Sequence, residues 1–447
     1  MRQFLSILTA LAFLAMASPA AAQVSQLFEE FGVSPRDSAM GGAYTAVGGD
    51  YAAAFYNPAG LFLIEGSHAH LGYRVVDPVL FMRFKGHSVP MNLADYPSTE
   101  VFLLGLSTDF KLSGAFNNAI TDRVNFGMAF GVGEYLKSYT GYVDPYTPYL
   151  FRYYERMVSL LSLYLGFSIK LTDWLAVGAG FVPAPSDAMA RAMVRSDIYL
   201  PTMTMKTTQA QITRAFSKVE PLAGIFLKWP GNAWRDRLAL GIAWRDQVET
   251  NDGKGEAVTK MVIHFPDGST YTGLDTVTVP IIQLTGFSPM QASAGLMIKP
   301  LPAMTVSIDE VWKNWREWIN YFEMRPAPRL HDTWTTKAGI EHVFSFDQDW
   351  FQTVSVRGGY YYEPSPVPAQ DGPWNLLDND KHVGSLGLGV RVSNLLGVIV
   401  VPVQMNFSYQ EHILVQKHLS NNRDPQFGPI DYGGHLWSFA GTLEISF

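Results

Sequence analysis

The chain has 447 residues, with 33 Lys and Arg against 40 Asp and Glu, a formal net charge of −7 and no cysteine. Lacking cysteine, it is not a lipoprotein, a disulfide scaffold or a thiolate metal site, and its mildly acidic balance gives no reason to expect nucleic acid as a partner. Hydrophobic residues make up 47%, aromatics 13% and charged residues only 16%, against about 25% charged in an ordinary globular domain, so the chain is either a large soluble β protein or a barrel whose apolar residues face lipid.

At the start, Arg2 precedes an apolar stretch from Phe4 to Ala17, and Ala20, Ala21 and Ala22 place small residues before Gln23. This is the pattern of a cleaved export signal, so residues 1–22 are expected to be removed. No later run reaches the roughly 18 apolar residues that a spanning helix needs. Residues 23–64 include SPRDSAMGGAYTAVGGDYAAAFYNPAGLF, which is rich in Gly and Ala and shows no alternation. Such a backbone cannot lie open to lipid, and Tyr44, Tyr51, Phe55 and Tyr56 are too many aromatics for a disordered tail. The expectation is a plug inside a barrel lumen, with Asn57-Pro58 opening a tight turn.

From residue 65 to 447 the pattern changes to period two. Strands are expected near 67–76, 98–109, 122–133, 156–170, 173–184, 212–229, 237–250, 289–300, 304–316, 331–346, 352–364, 381–394, 398–411 and 435–447. In the last of these, Trp437, Phe439, Leu443, Ile445 and Phe447 share one face, and Ser438, Ala440, Thr442, Glu444 and Ser446 share the other. Apolar outward and small polar inward is the requirement of a lipid-facing strand. The connections alternate between short ones and long ones such as 185–211 and 251–288. Short periplasmic turns opposite long extracellular loops characterise a transmembrane antiparallel up-and-down β-barrel, all-β, here of about fourteen strands.

The stretch GYYYEPSPVPAQDGPWNLLDNDKHVGSLGLGV, from Gly359 to Val390, resembles a signature of the FadL family of outer-membrane hydrophobic-compound transporters. Ser365-Pro366-Val367-Pro368 and Asp378-Asn379-Asp380 match it, with Lys381 where the family usually carries Arg. The resemblance extends to SIDEVWKNWREW from Ser307, to Asn57, Pro58 and Ala59 of the plug motif, and to the glycine-spaced strand VNFGMAFGVG. It implies passive uptake of long-chain fatty acids or hydrocarbons, and release through a gap in the wall beside the third strand. There Gly127, Gly131 and Gly133 either permit distortion or only admit the plug. It further implies a monomer set in lipid and lipopolysaccharide, with the terminal Phe447 read by the barrel-assembly machinery.

A cargo carboxylate would need a lumen-facing cation. Arg357, Lys170 and Arg391 face inward by alternation, although pairing with wall or plug acids is the commoner fate of such groups; Phe55 and Tyr56 are the candidate apolar contacts. His68 and His70 share a strand face, read as a polar strand end rather than a metal site. Trp312, Trp315 and Trp318 are read first as an interfacial girdle, and the stretch Pro201 to Lys206 and the loop FSPMQ as groove lining or ordinary packing. No phosphate loop or cofactor motif is present. Two rival readings remain: an outer-membrane enzyme, which would need a nucleophile and base on one face where His435 and Ser438 fall on opposite ones, and a barrel serving as a secretion or assembly partner.

Overall fold

The computed structural model describes residues 27–84, 98–109, 123–133, 150–151, 161–182, 189–200, 203–213, 219–229, 238–249, 253–264, 267, 269–281, 287–318, 328–348, 350–368, 376–393, 401–419 and 429–446. The expected export signal, residues 23–26 of the expected plug, the interiors of most connections, Pro201 and Phe447 therefore lie outside the described residues.

Among the described residues, fourteen antiparallel strands close a barrel. They are β1 (Ser67–Phe84), β2 (Thr99–Asp109), β3 (Val124–Gly133), β4 (Leu161–Lys170) and β5 (Leu175–Val182). Next come β6 (Glu220–Lys228), β7 (Leu238–Arg245), β8 (Gln291–Leu301), β9 (Met304–Lys313) and β10 (Thr333–Ser345). The last four are β11 (Phe351–Glu363), β12 (Lys381–Val392), β13 (Val403–Leu419) and β14 (Ile430–Ser446). Each pairs with its chain neighbours, and β1 pairs with β14, His68 opposite Ser446, so no edge remains. All fourteen expected strands are present.

Several boundaries differ from expectation: β13 runs to Leu419 instead of 411, β14 begins at Ile430 instead of 435, and two further cases have a clear physical reason. β1 runs on to Phe84, past Asp77-Pro78, which reads as a stop because proline has no N–H to donate. Beyond Val76 the strand is paired only with β14, an edge setting in which proline is tolerated. Residues 212 and 213, expected in the sixth barrel strand, instead end a strand of a second sheet. That sheet has four strands, Met189–Leu200, Met203–Thr213, Gly253–His264 and Thr270–Ile281, and joins the two connections read as long loops. A hairpin within a connection beyond the barrel wall carries no lipid-facing requirement, so nothing in its composition separates it from an irregular loop.

Burial alternates as a lipid-embedded wall demands. On β7, Leu240, Ile242 and Trp244 are 45%, 58% and 39% exposed, whereas Ala239, Ala243 and Arg245 are buried. On β14, Phe439, Leu443 and Ile445 face out and Ser438, Ala440 and Thr442 face in. In water, each outward side chain would forgo burial worth about 1.5–3 kcal/mol; in lipid the same band is satisfied. The chain's apolar share is thus largely on the outside, and a polar lining is left within.

Candidate functional site: the lumen and the N-terminal segment

Residues 27–64 pack against the inward faces of the strands. They form the short helices α1 (Leu27–Phe31), α2 (Pro35–Ala39) and α3 (Ala53–Tyr56), then a 3-10 turn, Pro58–Leu63. A capping box starts α2: the Asp37 backbone N–H donates to Ser34 Oγ at 3.3 Å, and the Ser34 backbone N–H donates to Asp37 Oδ1 at 2.5 Å. Asp37 also accepts from Val33 N–H and Tyr56 Oη. Burial pushes its carboxyl above the usual value, against the pull of these hydrogen bonds.

The close approach to the wall depends on glycine. A Cβ on Gly178 of β5 would lie 2.1 Å from the Ala59 nitrogen, and one on Gly359 of β11 would lie 2.1 Å from the Gly41 nitrogen. The segment's backbone therefore runs directly on the wall, where no side chain fits.

Asn57 explains the Asn-Pro-Ala turn. Its side-chain amide donates to Thr45 O at 2.9 Å and to Ile225 O of β6 at 3.1 Å, while its Oδ1 accepts from Ala59 N–H. Pro58 follows at the first position of the 3-10 turn, where its missing N–H costs nothing. One side chain thus ties the turn to itself, to the preceding loop and to the barrel.

Charged groups do the remaining anchoring. Arg36 donates to both Glu341 oxygens at 3.1 and 2.8 Å. Arg357, 2% exposed, donates to the same carboxylate at 2.7 Å and to Asn406 Oδ1 at 2.9 Å. Arg74 donates to Gly32 O and Ser38 Oγ. In α1, Glu29 pairs with Arg245 and, at 3.3 Å, with Lys313. Lys381 donates to both oxygens of Glu30 at 2.6 and 2.7 Å, and lies 2.9 Å from Glu363. Burial raises the Glu30 pKa, but Lys381 and His412 more than reverse this and hold the carboxyl well below its ordinary value. Lysine at 381, where the resemblance leads one to expect arginine, makes its pairing as a point charge between two carboxylates.

The remaining sequence candidates lie apart. Lys170 sits at the end of β4, paired at 2.7 Å with Asp173 in the adjoining turn. The Arg391 side chain makes no hydrogen bond or close ion pair among the described residues, and lines a cavity of about 340 Å³ with Arg36, Asp50, His70, Glu341 and Glu444, on the last of which its charge acts. Phe55 packs on Phe28 and Tyr164 and lies under the Arg245 guanidinium, 4.2 Å from its ring centre. Gly127 and Gly131 face Leu61 and Phe28 of the segment, whose atoms a Cβ would meet at 2.4 and 2.9 Å. β3 is paired on both sides, with Gly133 opposite Val101 and no register shift. His68 lies 3.0 Å and His70 3.7 Å from Glu444. Trp315 and Trp318 bury together against Leu330 and do not face lipid, because a 3-10 turn folds them back; Trp312 lies beside the exposed Trp334, as a girdle would place it. His435 pairs with Glu411 outside while Ser438 is buried inside.

Sequence reasoning passed over Arg74, Arg245, Lys313 and Glu341. All lie on inward faces of their strands, so alternation carries the signal; what it lacks is which of them meets the N-terminal acids.

No protein-family model and no curated protein sequence matches the chain. Solved structures do. A FadL homologue of Pseudomonas aeruginosa matches with a TM-score of 0.52 at 15% identity, covering 96% of this chain and 100% of that one. The P. putida toluene transporter TodX gives 0.55 at 14%, over 93% and 98%. The Ralstonia pickettii toluene transporter TbuX gives 0.51 at 15%, over 94% and 100%. At such identities the likeness establishes the fold: this chain has the architecture of the FadL-type outer-membrane barrels.

Proposed function

We propose that the protein carries hydrophobic small molecules passively across the outer membrane, with residues 23–64 as a releasable plug in the barrel. The observation that carries this reading is the kind of contact holding the segment. Beside its apolar packing, the segment is tied to the wall by separate side-chain hydrogen bonds and ion pairs, such as Asn57 to Ile225 and Arg36 to Glu341, and among the described residues it adds no strand to the barrel sheet. A segment held in this way exchanges partners without opening the barrel. Leu27, Phe28 and Phe55 of the segment meet Tyr164 of the wall in one apolar cluster, contact with which is worth about 0.8 kcal/mol for each CH₂ that an alkyl or aryl cargo buries. The fold is shared with structures named as toluene transporters and a monoaromatic hydrocarbon channel.

The finer part of the reading is exit through the wall beside β3. Leu61 and Phe28 rest on Gly127 and Gly131, so withdrawal of the segment removes the packing behind that strand. Arg391 is the sequence candidate left free to meet a polar head group.

Uptake of toluene and of decanoate by cells expressing the chain, against cells with an empty vector, tests the main claim. No difference for either compound would end it. Leu106 and Met128 are opposite each other on β2 and β3, and the chain has no cysteine of its own. Oxidised Leu106→Cys/Met128→Cys protein is expected to lose uptake and regain it on reduction; undiminished uptake when oxidised would remove the β3 exit.

A further inference from the structure

Two connections that leave opposite parts of the barrel meet. Leu376 and Leu377, between β11 and β12, pair in parallel with Leu150 and Phe151, between β3 and β4. In the closed ring, β5 to β10 separate these strand pairs on one side, and β13, β14, β1 and β2 separate them on the other. The link therefore carries backbone across the mouth, at the barrel end that bears the long connections. A ring of fourteen strands about 4.8 Å apart and tilted by about 40° is roughly 28 Å across. The chain between Phe151 and the start of β4 at Leu161 reaches at most about 35 Å, which is enough to span it.

The two sides of the link are held unequally. Directly after Leu377, Asn379 is buried, and its side-chain amide donates to Val415 O of β13 at 2.8 Å and to Tyr432 O of β14 at 3.3 Å. Asp378 accepts from Ser365 Oγ at 2.7 Å. Asp380 accepts the Ser365 backbone N–H at 2.8 Å, lies 3.3 Å from Lys417, and takes the Val415 N–H on its carbonyl at 2.8 Å. Ser365 and Asp378-Asn379-Asp380 thus fasten one end of the link to the rim. Between the two connections, the pairing covers only two residues of each. Parallel ladders are the weaker kind, and a two-stranded sheet by itself is marginal in water. The connections after β5 and β7 are joined over a longer ladder, with Lys260–His264 pairing throughout with Thr204–Thr208.

We propose that Leu376–Leu377 and Leu150–Phe151 form a latch across the mouth, with Asp378-Asn379-Asp380 as its fixed post, and that hydrophobic cargo enters only while the latch is undone. The post lets the wall side stay in place as the β3–β4 connection swings clear, so that opening breaks a two-residue ladder and leaves the barrel intact. The inference rests on the reading of the protein as a channel for hydrophobic molecules, and adds the step that admits them.

The chain has no cysteine of its own, so Leu150→Cys/Leu376→Cys places one thiol pair at register partners, a spacing that a disulfide spans. In cells expressing this variant, toluene uptake is expected to fall to the empty-vector level on oxidation and to return on reduction, with each single variant indifferent to the oxidant. Undiminished uptake with the disulfide formed would overturn the proposal. So would failure of the disulfide to form in the oxidised full chain, because the two connections would then not meet. Should the reduced variant lack the uptake of the natural sequence, the neighbouring pair Phe151→Cys/Leu377→Cys decides instead. Asn379→Asp keeps the side chain's shape and removes both donated hydrogen bonds. In that background the disulfide is expected to form severalfold more slowly, with the barrel's resistance to heat on gels unchanged; an unaltered rate would remove Asn379 as the post. If the natural sequence itself takes up no toluene and no decanoate, the channel reading falls, an outcome distinct from failure of the latch.

Discussion

Asp309, in the middle of β9, accepts the backbone N–H of Tyr44 at 2.8 Å and, with the same oxygen, that of the next residue at 2.7 Å. A wall carboxylate here replaces the hydrogen bonds that a strand or helix would have given this part of the segment. Asp309→Ala would leave two buried N–H groups without partners, at about 1–3 kcal/mol each. Hydrogen exchange at residues 43–47 is expected to rise by two orders of magnitude or more, with the barrel's resistance to heat on gels unchanged. Unaltered exchange would mean that the pair is incidental.

Arg357 shares Glu341 with Arg36 and also holds Asn406. Arg357→Ala breaks one arm of this buried arrangement, at about 3 kcal/mol, and loosens α2 through Glu341. Uptake of a carboxylate and of a neutral hydrocarbon is expected to change together. Loss of carboxylate uptake alone would give Arg357 a head-group role instead.

Glycine substitutions separate contact with the segment from contact with lipid. Gly178→Ala places a methyl group 2.1 Å from the Ala59 nitrogen, so the Asn57 turn must move. Gly384→Ala on β12 meets nothing within 4 Å. Protease cleavage within residues 27–64 is expected to speed up severalfold in the first variant and not in the second. Equal rates would show that the turn does not rest on β5.

The depressed Glu30 pKa sets a pH window. Its contribution to seating α1 is fully present above the unfolded value of 4.5 and is lost only as pH falls through the lower folded value. Exchange at residues 27–31, corrected for intrinsic rates, is expected to be flat from pH 7 to 5 and to increase only well below 4.5. In Glu30→Gln that acid-dependent increase is expected to shrink. An onset near pH 5 in the natural sequence would contradict the pairing with Lys381.

Much of the wall was legible because lipid is an unforgiving solvent: each membrane strand must alternate, and the runs ending Leu443, Ile445 and Leu240, Ile242 do so plainly. The turn at Asn57 was legible because Pro58 restricts its own torsion and that of its neighbour. The sheet joining 203–213 to 253–264 was not, since strands in water with no required buried face resemble any polar loop. Trp315 and Trp318 were misplaced for a related reason: composition marks an aromatic as able to sit at an interface, whereas their burial depends on Leu330 and Val367, which come from the far end of the same connection and from a later one. Arg245 and Lys381 could be placed on inward faces, but their partners Glu29 and Glu30 lie 216 and 351 residues away, and no local pattern encodes such a meeting.

The cavity lined by Arg36, Asp50, His70, Arg391 and Glu444 lies among strand ends joined by short connections. A ten-carbon tail pushed straight down into it would trade a greasy berth for a wet, salty antechamber, forfeiting about 8 kcal/mol at the ordinary rate per methylene. That chamber is therefore better suited to ions and polar head groups than to a hydrocarbon tail.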